Sequence, residues 1–161
     1  MNDTWEADIA DLLTELADVQ TSLLDVLGQK RNLIATGDHV ALGAMASREQ
    51  LLIDRLQACL EHRGELLSQA EADGLPADSI QALSESLPAE PRTRMKASIA
   101  EAANRSRLLQ HQSLTNWVLV QRSLLHLSQL IEIIATGGRL QPTYGNSLNR
   151  QPSGALVDQA I

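Results

Sequence analysis

Over the first 33 positions the apolar residues recur in strict four-three alternation, at Trp5, Ile9, Leu12, Leu16, Val19, Leu23, Val26 and Leu33, and Lys30 alone breaks the series. An α-helix puts such positions on one side, because 3.6 residues per turn gather i, i+3, i+4 and i+7 into one stripe. Leu13, Leu24, Leu27 and Ile34 lie beside that stripe and widen it. A helix of this kind touches two neighbours rather than forming a bare two-stranded zipper. Asp3 or Thr4 is placed to cap its start and Gly37 to end it.

A second series begins at once. Asp38 is placed as an N-cap, and Leu42, Met45, Leu52, Leu56, Cys59, Leu66 and Ala70 follow at spacings built from three and four, with Glu49 and Arg63 as polar breaks, until Asp73-Gly74-Leu75-Pro76 stops the pattern. So short a connection between two long helices predicts an antiparallel hairpin, with arms about 45 to 55 Å long at 1.5 Å per residue. Residues 77 to 87 have room for one short helix, and Pro88 and Pro91 punctuate the chain after it.

A third long helix is predicted to start near Pro91 and run to Ala135 or Thr136, before Gly137-Gly138. Its stripe reads Ile99, Ala103, Ser106, Gln110, Ser113, Trp117, Val120, Leu124, Leu127, Ile131 and Ile134, so its first half is small or polar. The second half is the opposite, with 12 apolar residues among the 21 from Leu114 to Ile134. One hairpin cannot cover a helix that is apolar around most of its circumference. Leu114, Val118, Leu119 or Leu125 must be buried by a second copy, a fourth helix or a partner protein.

Composition supports helices against sheets, since Leu and Ala together number 48 against 15 for Val and Ile, and Phe is absent. The predicted fold is therefore all-α: an antiparallel long-helix hairpin plus a third long helix in a coiled-coil-like bundle over residues 1–138. Residues 139–161, rich in Gln, Asn, Ser, Pro and Gly, are expected to form a flexible C-terminal tail.

Charge is segregated along the chain. The net is -7 overall, -5 over residues 1–37 and -4 over 38–75, but +4 over 91–138. The overall sign speaks against a general nucleic-acid binder, and the basic run from Arg92 to Arg107 lacks the aromatics that stack on bases. Its expected use is pairing with the acidic hairpin. The lone Cys59 forms no intrachain disulfide and reads as a small buried hydrophobe, while His39, His62, His111 and His126 show no helical pairing that builds a metal box. Carboxylates such as Asp8, Asp11, Glu15 and Asp18 read as a solvated face. No phosphate-binding glycine motif is present, so neither an enzyme nor a bound cofactor is expected. An acidic start without a basic flank, and the lack of about 18 consecutive apolar residues, lead to the expectation of a cytoplasmic protein without membrane insertion.

Residue patterns alone leave the apolar half of the third helix open between helix-in-groove recognition of another protein and homo-oligomer packing. A resemblance adds to this. The opening helix, the Gly37-Asp38 break into a segment containing Arg48-Glu49-x-Leu51-Leu52, the stretch from Leu108-Leu109-x-His111-Gln112 to Asn116-Trp117-x-Leu119, and a tail with Thr143-Tyr144-Gly145 and Gly154-x-Leu156-Val157-Asp158 are together similar to the FlgN family of flagellar export chaperones. The resemblance implies a protein that binds the terminal helices of the hook-filament junction proteins FlgK and FlgL, prevents their premature assembly and delivers them to the type III export gate. It implies no nucleotide or other cofactor. It carries client binding to Leu114, Trp117, Val118, Leu119, Leu125 and Leu140, and docking on the gate protein FlhA to Tyr144, although Asn146-Ser147 departs from the glycine or acidic turn that often follows that tyrosine. A self-assembling coiled-coil scaffold and a chaperone for a different secreted client are the alternatives.

Overall fold

A computed structural model describes residues 2–135, and those residues form four helices and no strand: α1 (Asn2–Thr36), α2 (His39–Ala72), α3 (Ile80–Glu85) and α4 (Ala89–Ala135). By density of contact the chain divides into two units, Met1–Ser123 and Leu124–Ile161. The packing described below belongs to the first.

The helix boundaries have local causes. Gly37 takes a positive φ of 71°. There the Asp38 N–H reaches back to Leu33 O and the Gly37 N–H to Ile34 O, the paired bonds of a Schellman stop. Asp38 then caps α2, its carboxylate accepting from the Ala41 N–H at 2.9 Å. Gly74, with φ 72°, repeats the stop at the end of α2, where the Leu75 N–H meets Ala70 O and the Gly74 N–H meets Glu71 O. Ser79 caps α3 by accepting from the Ala82 N–H.

One start differs from expectation. Helix α1 begins at Asn2, ahead of Asp3 and Thr4, so neither residue is its cap. Helix α4 begins at Ala89, and Pro91 falls inside its first turn, where a missing N–H costs no helical hydrogen bond.

The hydrophobic seams meet as spaced. Ile9, Leu12, Val19, Leu23 and Val26 of α1 are buried, as are Leu52, Cys59, Leu66 and Ala70 of α2. Ion pairs join Asp18 to Arg55 at 2.9 Å and Lys30 to Glu49 at 2.7 Å. Numbers rise on one helix as they fall on the other, so α1 and α2 run in opposite directions. Lys30 and Glu49 are each a break in their own seam, and here they are each other's partner. Ile80, Leu83 and Leu87 close one end of this core.

Helix α4 uses a different face from the one its hydrophobic stripe predicts. Met95, Ala102 and Asn116 are buried, with Ile99 and Leu109 partly so, whereas Ala103, Ser106, Gln110, Ser113, Trp117 and Val120 are exposed. From Ala102 to Asn116 the contact face lies one residue before the expected stripe. The reason is that polar groups make the contact. Gln20 is buried in α1 and donates through Nε2 to Ala102 O and to Ser106 Oγ, while its Oε1 accepts from Arg105 Nε at 3.1 Å. Asn116 Nδ2 donates to Leu27 O at 2.9 Å. Each bond satisfies a group that would otherwise be buried at a cost of about 1–3 kcal/mol. Of the basic run, Arg94 pairs with Glu6 of α1, whereas Arg105 pairs within α4 with Glu101, so charge matching to the hairpin is narrower than its net signs suggest.

Candidate functional site

Beyond its contact face, the second half of α4 is mostly apolar and uncovered. In the first unit Leu114 is 61% exposed and Trp117 59%, with Leu108 and Val120 also open and Val118 and Leu119 partly buried. In the second unit every described residue from Leu124 to Ala135 is exposed, Leu125 at 64% and Ile134 at 79%. Large apolar side chains left in water at this density mark an interaction surface.

The second segment has no single apolar side. At 100° per residue, Leu124, Leu125, Leu127, Leu130, Ile131, Ile133 and Ile134 spread around the whole circumference. One flat neighbour covers about a third of a helix, so an occupant must wrap this segment or meet it from more than one side. Helix α4 also contains an 18-residue window of mean hydropathy 1.3, none of it buried, and is long and apolar enough by those measures to cross a membrane. Arg122 and Glu132 interrupt this part of the helix, and length with hydropathy alone is weak evidence for a span.

Of the residues singled out from the sequence, Leu114, Trp117 and Leu125 are fully presented, and Val118 and Leu119 sit at the edge of the covered face. Leu140 and Tyr144 lie outside the described residues. Leu60 of α2, 55% exposed, belongs to a second apolar surface that the sequence reading missed. Its only sequence signal was the run of small residues in the first half of α4.

Cys59 is 2% exposed, and burial, then the nearby Glu15 carboxylate, push its thiol above the ordinary range, with Arg55 opposing. A thiol so placed is a poor nucleophile. No group of three or more His, Cys, Asp or Glu side chains suited to a metal occurs among the described residues.

Comparison with known families places the chain. The family model described as FlgN protein matches residues 1–151, nearly the whole chain. The chain belongs to the FlgN family. FlgN proteins are flagellar export chaperones, which bind hook-associated proteins, and this chain is therefore a chaperone of flagellum assembly and protein export. Neither the curated proteins nor the solved structures give a match.

Proposed function

We propose that the chain escorts FlgK and FlgL in the cytoplasm, holding their terminal helices against α4 and delivering them to the export gate protein FlhA. In this reading α1 and α2 act as a hairpin that supports α4 as a third long helix. Residues 139–161 contribute to the client and gate contacts. Client helices seat on Leu114, Trp117, Val118, Leu119, Leu125 and Leu140, and Tyr144 docks on the gate. The work is done by burial alone, without catalysis or a cofactor.

The observation that carries this reading is the exposure of large apolar side chains of α4 between Leu114 and Ile134. Assembly helices of a filament are amphipathic and self-associate when free. A chaperone competes by offering an equivalent apolar surface, and each large side chain it covers contributes about 1.5–3 kcal/mol before ordering costs. Ordering costs on association keep the net affinity modest, which suits release at a gate.

The test is co-purification with FlgK and FlgL, comparing the full chain with one stopped at Gly138. The full chain is expected to capture both clients, and the shortened chain to bind them more weakly and to lose FlhA. Failure of the full chain to retain either client sinks the reading. The all-round apolar character of residues 124–134 also favours self-association. Light scattering separates the two: a chaperone gives an oligomer that dissociates when client is added, a scaffold one that does not.

A further inference from the structure

The first unit carries a groove between α2 and α4 whose floor is α1, and the export reading does not use it. Leu12 and Leu16 form part of the floor, Leu56 and Leu60 one wall, and Ala103 and Leu109 the other. It exists because α4 presents small residues there: Ala102, Ala103 and Ser106 fill too little of the space facing Leu56 and Leu60. Toward α3 the groove continues into a second hollow that shares Ile99 and Ala103 with the first and runs on to Lys96 and Arg92. From Arg92 to Gln110 the trough is about 27 Å long at 1.5 Å per residue, the length of an 18-residue helix.

Its charge says what fits. Arg63, Arg92 and Lys96 line the trough, and none has an ion-pair partner among the described residues. Elsewhere on the unit, Lys30, Arg48, Arg55, Arg94 and Arg105 are each within 4 Å of a carboxylate of the same chain, whereas Arg31, Arg107 and Arg122 pair with none among the described residues, so what sets the trough apart is three such cations beside one apolar floor. Glu85 is the one acidic residue of the trough, and it accepts a hydrogen bond from Gln81. An apolar floor with three free cations at its margins matches a helix with one apolar stripe flanked by carboxylates.

We propose that this trough is a second docking site, separate from the Leu114–Ile134 surface, and that its occupant is an acidic amphipathic helix of a partner protein. The helix lies along α4 between Arg92 and Gln110, with its apolar stripe on Leu16, Leu56 and Leu60 and its carboxylates on Arg63, Arg92 and Lys96. This site does not depend on the identity of the export client.

The probe is a fluorescein-labelled synthetic 18-residue peptide with Leu at the a and d positions of its heptads and Glu beside them, together with a counterpart in which Lys replaces Glu. Both are titrated by anisotropy into the full-length chain. The acidic peptide is expected to bind at least tenfold more tightly than the basic one. The double variant Arg63→Glu with Lys96→Glu, both at surface positions, is expected to erase or reverse that preference, and Ala103→Trp to weaken the acidic peptide at least tenfold by filling the trough. Leu125→Asp is expected to leave both affinities unchanged. Equal binding of the two peptides, indifference to the double charge reversal, or loss of binding on Leu125→Asp overturns the proposal. So does a dimer in light scattering that dissociates on Arg63→Glu, since the occupant is then a second copy. A failed titration leaves FlgK and FlgL capture intact, so the two readings fail separately.

Discussion

Lys30 and Glu49 show how two apparent defects in hydrophobic pattern become one feature. Each interrupts a seam, and their side chains meet at 2.7 Å while remaining 32% and 20% exposed. Such a pair is worth little net, because partial desolvation offsets much of its attraction. What it supplies is register, since sliding either helix strands a charge against leucine. Lys30→Met or Glu49→Leu alone is expected to lower stability by about 1 kcal/mol or more, and the double substitution to restore it to wild type or above, in urea melts. A double variant less stable than both singles contradicts this. Cys59 supplies a second residue-scale test. Burial raises its thiol pKa, so the folded protein holds the proton to higher pH than the unfolded chain does. That preference contributes stability below the ordinary thiol range and is lost as pH rises through the raised value. A thiol-reactive disulfide reagent at pH 8 is accordingly expected to modify Cys59 only slowly in the native protein and at once in denaturant.

Legibility differs between elements for a physical reason. The seams of α1 and α2 were readable because leucine, isoleucine and valine make those contacts, and apolar spacing reports the buried face wherever burial of apolar area dominates. The face of α4 was not readable by the same rule. Gln20, Arg105 and Asn116 anchor it, so ranking positions by hydrophobicity selected Ala103, Gln110 and Trp117, which are exposed. Gln112 points to the same polar face, its Oε1 buried without a hydrogen-bond partner among the described residues. The turn at residues 37 and 38 was legible because both positions have narrow requirements. Only glycine takes a positive φ at no steric cost, and Asp38 accepts from the third residue beyond it. Gly37→Ala is expected to cost about 1–2 kcal/mol, read as a lower urea midpoint with an unchanged slope. The space around Gly37 is open, so a measured loss isolates backbone strain from crowding.

At the scale of the whole molecule the question is whether the apolar end of α4 serves the fold or serves a partner. A core residue loses about 2–5 kcal/mol of stability when its side chain is replaced by a smaller one, and more when a charge is buried in its place. Leu125 and Ile131 are 64% and 57% exposed, so most of each side chain has no packing to lose. Leu125→Asp and Ile131→Asp are therefore expected to leave the thermal midpoint of the free protein within about 2 °C of wild type, since surface changes usually stay within about 0.5 kcal/mol. The same substitutions remove apolar area that a client would cover and put a charge in its place. At about 1.5–3 kcal/mol for each large side chain, either is expected to weaken FlgK or FlgL capture by roughly 10- to 100-fold. Circular dichroism melts and client titrations on one preparation decide the matter. A fall in melting temperature with client binding preserved makes the segment part of the protein's own core, and the opposite pattern makes it a surface kept open for another chain.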